Sequence, residues 1–178
     1  MLSRKLPPYP YGKGMSLLEL VVVLAIMGIL LTAGLANFSV WVGNSQIRAV
    51  AEAQLAAVRS ARNEAIKLNS PVQIQFDADF RGWTVTVVNT NTVLKHEANL
   101  ADYVNITSAE QPAGANTIIF DGLGRVTLPA GNAPITQIDI DNIHIDAAES
   151  TEQRILISPV GGVRMCRPGK AAPDPAAC

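Results

Sequence analysis

The chain has few aromatic side chains and no strong excess of either charge. Phe, Trp and Tyr make up 5% of its 178 residues, which argues against a surface that binds nucleic acid by stacking bases. The formal net charge is −1, so no overall field attracts the chain to nucleic acid or to an anionic membrane. Binding to a polyanion would therefore need a local patch of cations.

The sequence also lacks the motifs of common enzymes. No serine lies in a nucleophile elbow, and no glycine-rich phosphate loop precedes a helix. The glycine-rich segment Asp121-Gly122-Leu123-Gly124-Arg125 joins two candidate strands and is typical of a turn. We therefore expect no enzymatic activity, no catalytic residue and no cofactor.

Metal ligands are equally sparse. His96 and His144 have no ligand-spaced partner, so exposed or hydrogen-bonded side chains are the simpler interpretation. Asp139 and Asp141 alternate with isoleucines; they are candidate metal ligands, but the alternation is also that of a solvated strand face. We expect no metal site.

A long apolar run lies near the amino terminus. Residues 17–36 contain 20 residues, about 30 Å as a helix, which is enough to span a bilayer. Arg4, Lys5 and Lys13 precede the run, and no comparable cationic cluster follows it. The positive-inside bias therefore places residues 1–14 in the cytoplasm and the residues after Trp41 outside the cell membrane.

Glu19 distinguishes this run from an ordinary anchor. A carboxylate in an apolar span costs up to a few kcal/mol and needs a partner. Cleavage after Gly14 would supply one, the new cationic amine of Met15, within the subunit or between subunits. A plain anchor, or a signal peptide cleaved near residues 34–36, is the alternative, although the run exceeds the usual ~7–15 residues and contains Glu19.

This combination resembles type IV prepilins and type II secretion pseudopilins. The resemblance rests on a short basic leader, 1–14, that ends in Gly14, on the apolar residue Met15, and on Glu19 followed by an apolar helix. It implies cleavage by a prepilin peptidase after Gly14 and methylation of the Met15 amine. It also implies an inner-membrane protein with residues 43–178 in the periplasm. The helix of residues 15–42 would then leave the membrane for a filament of pilins or pseudopilins, with Glu19 as the assembly residue.

The rest of the chain predicts an α+β domain at residues 43–178. An amphipathic helix is predicted at 43–68, and no proline interrupts positions 11–70. Its apolar residues recur at spacings of mostly three and four and should pack on the sheet: Ile47, Val50, Leu55, Val58, Ala61, Ala65 and Leu68. Beyond Pro71 the period changes to two, and an antiparallel sheet is expected within 71–160. Its candidate strands are 72–76, 83–87, 92–95, 103–107, 117–120, 125–128, 135–145 with a break near 141–142, and 153–157. The resemblance implies the same design, a pilin-like lollipop with one long helix.

The carboxy-terminal tail, residues 161–178, holds both cysteines. In an exported chain, Cys166 and Cys178 are expected to form a disulfide rather than remain two free thiols. Arg164, Arg167 and Lys170 fall within seven residues of one another. This cluster is a candidate phosphate-binding site; the alternative is a solvated tail whose cations only raise solubility.

The same tail resembles the end of the FimT/GspH family of minor pilins and pseudopilins. Pilus-associated members carry a terminal Gly-Arg-x-Arg stretch implicated in binding DNA for natural transformation. Gly161 and Arg164 match that stretch, whereas Gly162 stands where the first arginine would be. The resemblance implies a minor pilin of a type IV pilus that binds double-stranded DNA through Arg164, Arg167 and Lys170. The alternative is a structural minor pseudopilin that primes or caps the filament of a type II secretion system.

Overall fold

The computed structural model describes residues 14–97, 106–128 and 133–178. The side chains of residues 31–37 are not described. The predicted leader before Gly14 and positions 103–105 of one predicted strand therefore lie outside the described residues. The chain divides into two compact units, residues 1–38 and 39–178, and each is considered by itself.

One helix, α1, runs from Leu17 to Leu68, which confirms the long helix predicted from the apolar spacing. In the first unit, every described side chain from Met15 to Leu30 is exposed, including the large apolar ones. Among the residues described, no helix is long and apolar enough to cross a membrane. The predicted span, 15–42, includes residues 31–37, so it remains a prediction.

In the second unit, α1 packs one face onto the sheets. Six of the seven apolar positions predicted to face the core are buried: Ile47, Val50, Leu55, Val58, Ala61 and Ala65. The seventh, Leu68, is 43% exposed because the helix ends there. Arg48 and Glu52 form an ion pair of 2.8 Å one turn apart on the outer face, which supports the helix modestly.

The described residues include nine strands, which form two antiparallel sheets. The first sheet has the order β3-β2-β1-β5-β6 and the second the order β4-β7-β8-β9. β1 and β2 form the predicted hairpin, with Phe76 opposite Trp83. The strands are β1 Val72–Phe76, β2 Trp83–Val87, β3 Thr92–Glu97, β4 Ile106–Gln111, β5 Thr117–Phe120, β6 Val126–Thr127, β7 Gln137–Asn142, β8 Gln153–Ile157 and β9 Val163–Cys166.

The structure differs from the predicted sheet in three ways. Two sheets replace the single one expected, because the period of two marks strands without showing which strands pair. β9 lies in the segment predicted as a tail; its four residues are too few to show a pattern, and pairing with β8 supplies their hydrogen bonds. β4 continues to Gln111, beyond the strand predicted at 103–107, of which positions 103–105 lie outside the described residues. β7 ends at Asn142, at the predicted break.

The core lies between α1 and the inner faces of the two sheets. Phe76 stacks on Phe80 with ring centroids 5.1 Å apart and meets Trp83 edge-on at 6.3 Å. Phe80 belongs to the β1–β2 turn, where a φ of 55° directs it into this cluster. Gln54 of α1 is fully buried and donates to the main-chain oxygen of Phe80 at 2.9 Å, so the turn is fixed to the helix.

Candidate functional sites

The predicted assembly site lies at the start of α1. Gly14 and Met15 precede the helix, and Glu19 falls in its first turn, where the helix dipole favours a carboxylate. Met15 is 71% exposed and Glu19 is also exposed. Among the described residues, a Cβ added to Gly14 would meet nothing within 4 Å.

The predicted disulfide is present in the structure. Cys166 of β9 and Cys178 are bonded, with their Cα atoms 5.1 Å apart. Cys166 is buried and Cys178 is exposed. The bond returns the end of the chain to the second sheet, where the N–H of Arg167 donates to the oxygen of Ala176 at 2.7 Å.

The three candidate DNA-binding cations are divided between two environments. Arg164 lies on β9, exposed, with Leu156 as its strand partner, and donates to the main-chain oxygen of Cys178 at 3.0 Å. Arg167 and Lys170 instead line a cavity of about 380 Å³ between the tail and residues 147–152. Asp141, Glu149 and Glu152 line the same cavity, so acids accompany two of the three cations.

An ion pair fixes the neighbouring face of the second sheet. Arg154 donates to both carboxylate oxygens of Asp139, at 2.5 and 3.1 Å, and these bonds raise the pKa of Arg154. Burial raises the pKa of Glu152, and the negative charge of Asp139 adds to the effect, whereas Arg154 opposes it. Asp139 is therefore a structural ion-pair partner, half-buried rather than freely solvated.

The other candidate ligands do not converge. Within the described ranges, no group of three or more His, Cys, Asp or Glu side chains is placed to hold a metal ion. Asp141 accepts a hydrogen bond from the hydroxyl of Ser150. Thr84 Oγ1 and His96 Nδ1 are 3.0 Å apart across the β2–β3 pair, whereas His144 lies exposed in the β7–β8 connection.

Two glycine turns meet at the C-terminal end of α1, a junction that the sequence did not reveal. Gly124 lies in the predicted 121–125 turn, and Gly161 lies in the β8–β9 turn; both have positive φ, 76° and 82°. The N–H of Val126 donates to the oxygen of Pro159 at 3.0 Å, and Arg62 Nε donates to the oxygen of Gly124 at 3.0 Å. Gly124 and Gly161 indicate two turns in the sequence, but that the two turns contact each other is known only from the fold.

Asn44 joins α1 to the β7–β8 connection through hydrogen bonds, and the sequence did not reveal this role either. Its Oδ1 accepts from the N–H and hydroxyl of Thr151, at 2.8 and 3.0 Å, and its Nδ2 donates to the oxygen of Glu149 at 2.9 Å. The neighbouring Gly43 is buried against Ile145. In the sequence, Asn44 is marked only as a polar residue beside a glycine in a helix. Its hydrogen-bond partners lie more than 100 positions away in the chain.

The fold is similar to that of solved minor pilins. A crystal structure of the type IV minor pilin FimU of Pseudomonas aeruginosa superposes with a TM-score of 0.57, covering 75% of this chain and 97% of that one at 18% identity. A second crystal form of FimU gives a TM-score of 0.53, 71% and 97% coverage, and 19% identity. Similarity at this level of identity shows a shared fold. No curated protein sequence matches the chain.

Two sequence families match the chain directly. The prokaryotic N-terminal methylation motif matches residues 11–35, which contain Gly14, Met15 and Glu19. The family described as Type II transport protein GspH matches residues 50–161, more than half of the chain. These matches confirm the resemblance to prepilins and to the FimT/GspH family, and the chain belongs to the GspH family.

Proposed function

We propose that this chain is a minor filament subunit, made as a prepilin and incorporated into a pilus or pseudopilus. The observation that carries the proposal is the first part of α1, where every described side chain from Met15 to Leu30 is exposed. Apolar surface of this extent requires a lipid or protein environment. In this proposal the helix of residues 15–42 lies first in the inner membrane, with residues 43–178 in the periplasm, and later in the filament core.

Processing precedes assembly in this proposal. The prepilin peptidase cleaves after Gly14 and methylates the amine of Met15. The methylation-motif match at residues 11–35, which includes Gly14 and Met15, supports this step. The cleaved chain then presents a cationic amine and the Glu19 carboxylate at one helix terminus.

Glu19 is proposed to guide assembly by pairing with the amine of a neighbouring subunit. A carboxylate in an apolar environment is costly when unpaired, and an opposite charge offsets that cost. Glu19→Ala should therefore leave membrane insertion and cleavage intact while abolishing recovery of the chain in sheared filaments, and Glu19→Asp is the matched control. Normal recovery of Glu19→Ala would overturn this role.

Two machines can use such a subunit, a type IV pilus or the pseudopilus of a type II secretion system. The GspH match favours a pseudopilin that primes or caps the filament, and the prepilin motif suits both. Deletion of the chain separates them: loss of surface pili with intact protein secretion indicates a pilin, and the reverse indicates a pseudopilin. If neither filament is affected and neither contains the chain, the filament role is wrong.

We propose a structural role in the filament rather than a role in DNA uptake. A DNA-binding patch needs cations that act together on one surface, but Arg164 is engaged with Cys178, and Arg167 and Lys170 share their cavity with three acids. Binding of double-stranded DNA through these residues stays a prediction from the sequence. Gel shifts with duplex DNA across a salt series test it.

A further inference from the structure

Two arginines of α1, Arg59 and Arg62, lie beside the β8–β9 turn and bond to main-chain oxygens. Arg59 Nη2 donates to the oxygen of Val163 at 3.2 Å, and Arg62 Nε donates to the oxygen of Gly124 at 3.0 Å. Both arginines line a cavity of about 170 Å³. We call the residues that line this cavity the arginine pocket: Arg59, Arg62, Asn63, Gly161 and Val163.

The positive charge of the arginine pocket is not balanced within the described part of the chain. No ion pair joins Arg59 or Arg62 to an acid there, although other cations are paired in this way. The positions three and four residues away from each of the two arginines hold no acid. Glu52 and Glu64 line a neighbouring cavity on α1, but each is paired with another cation, at 2.8 and 3.3 Å.

The arrangement of the two guanidinium groups suits an oxyanion. Each guanidinium has five N–H donors, and the bond to a main-chain oxygen uses one of them and holds the group in place. Like charges three positions apart on a helix repel each other, and an anion between them offsets that repulsion. A carboxylate can accept two parallel N–H bonds from one guanidinium. We therefore expect the arginine pocket to bind a carboxylate or a phosphate.

Apolar side chains border the arginine pocket. Ile66 lies one helical turn beyond Arg62 and is 45% exposed, and Val160 precedes Gly161 and is 72% exposed. Arginine beside exposed apolar side chains is typical of protein interfaces. Nucleic-acid phosphates are instead bound by many cations that follow the backbone. These neighbours therefore favour a carboxylate carried by a protein.

We propose that the arginine pocket binds an aspartate or glutamate side chain of a different subunit of the filament. Arg59 and Arg62 hold the carboxylate, and Ile66 and Val160 contact apolar side chains around it. A minor subunit that primes or caps a filament has subunits of other kinds as neighbours, so the partner is not a second copy of this chain. The inference rests on the proposed filament role, and it adds the place of one contact and the chemistry of the partner.

Carbodiimide coupling tests this contact, because the reagent joins a lysine amine to a carboxylate that lies against it. Arg59→Lys places an amine in the arginine pocket of the full-length chain. Membranes and sheared filaments from cells that assemble the filament are treated with the reagent and digested for mass spectrometry. We expect the introduced lysine to be joined to an aspartate or glutamate of another subunit far more often than native Lys95, which is exposed on β3.

A second arginine of α1 supplies the matched control for the reagent. Arg48 is exposed, lies about three turns before Arg59, and pairs with Glu52 of its own chain at 2.8 Å. Arg48→Lys should therefore couple within the chain, to Glu52, and not to another subunit. This result shows that the reagent reports on carboxylates already in contact.

Charge reversal provides a second measurement. Arg59→Glu sets a carboxylate against the partner's carboxylate, so recovery of the chain in sheared filaments should fall severalfold, whereas Arg59→Lys should retain most of it. Arg48→Glu changes the same charge outside the arginine pocket and should leave recovery unchanged. Detection of the Cys166–Cys178 bond by peptide mapping confirms that each variant is folded.

The outcomes separate this inference from the filament role. If the chain is recovered in filaments but the introduced lysine couples no more often than Lys95, the contact is overturned and the filament role stands. Coupling only to acids of this same chain overturns a different subunit as the partner. Absence of the parent chain from every filament fraction overturns the filament role itself.

Gel shifts of the full-length protein with duplex DNA distinguish a phosphate from a carboxylate. We expect Arg59→Glu to leave DNA binding unchanged. If Arg59→Glu weakens DNA binding and leaves recovery in filaments unchanged, the anion is a nucleic-acid phosphate, and the carboxylate partner is overturned.

Discussion

Gly161 lies so close to Gly124 that a Cβ added to Gly161 would overlap the main-chain oxygen of Gly124. The two glycines belong to turns of different sheets, and Arg62 of α1 donates to the same oxygen. This contact joins the helix, the first sheet and the second sheet at one point. It also gives Gly161 a packing role, although the resemblance placed it in a terminal binding motif.

Gly161→Ala should destabilise the domain strongly, by about 3–5 kcal/mol, because the new methyl group meets rigid backbone and φ is 82°. Gly114→Ala is the matched control: its φ is also 82°, but the added Cβ meets nothing within 4 Å, so only about 1–2 kcal/mol is expected. Urea unfolding of residues 39–178 measures both free energies. Equal losses in the two variants would show that the Gly124 contact contributes nothing.

Asn44→Ala should lower the free energy of unfolding by about 2–3 kcal/mol. The substitution removes three hydrogen bonds and leaves the N–H of Thr151 without its acceptor. Thr151→Ala removes only the bond from the Thr151 hydroxyl, because the N–H of residue 151 still donates to Asn44 Oδ1, so its loss should be smaller. Chemical denaturation of the three proteins provides the comparison, and a Thr151→Ala protein as unstable as Asn44→Ala contradicts the assignment.

Removal of the disulfide should cost about 2–3 kcal/mol, the chain-entropy value for a short closed loop. Cys178→Ser is the suitable change, because Cys178 is exposed whereas Cys166 is buried. Reducing agent should destabilise the parent by the same amount and leave Cys178→Ser unaffected. The midpoint temperature of thermal unfolding, measured for the parent and for Cys178→Ser with and without reducing agent, tests both effects. A parent whose midpoint does not change on reduction would mean that the bond does not stabilise the domain.

Glu152 should make the domain less stable as the pH rises. Burial first, and then the charge of Asp139, raise its pKa in the folded chain, so the folded state holds the proton more tightly than the unfolded state. Stability from this group is greatest below the unfolded pKa, near 4.3, and falls as the pH rises through the folded pKa. Glu152→Gln should match the parent at pH 4 and exceed its stability at pH 7.

The pH dependence of urea unfolding, from pH 4 to pH 7, tests this sign. Glu149→Gln is the control, because Glu149 is an exposed acid in the same cavity. A Glu152→Gln protein that loses stability relative to the parent at pH 7 would contradict the expectation.

Duplex DNA should bind the domain only weakly. Three cations that each neutralise one phosphate would give a salt slope near −3, but Asp141, Glu149 and Glu152 share the cavity of Arg167 and Lys170. We expect a shallower slope for residues 39–178 in gel shifts, and little change on combining Arg164→Ala with Arg167→Ala. A slope near −3 that this double variant abolishes would establish the cluster as a DNA-binding site.

Local regularities in the sequence were sufficient for the elements themselves. The helix from Leu17 to Leu68 and the hairpin of β1 and β2 follow from apolar spacings of 3.6 and 2, which each segment carries alone. The leader, Met15 and Glu19 identify the class of protein because the prepilin motif is defined by the order and spacing of residues along the chain. The disulfide was predictable because the chain has only two cysteines.

The tertiary structure alone determined which of these segments meet. The strands pair in two sheets where one was predicted, and residues 163–166 form β9 by pairing with β8. The sequence does not reveal these pairings, because the residue pattern of a strand does not specify which distant strand it bonds to. The tertiary structure separated Arg164 from Arg167 and Lys170, which are close in sequence. It also joined Gly124 to Gly161 and Asn44 to Thr151. Contacts between positions far apart in the chain depend on how the whole core packs, and no local pattern encodes them.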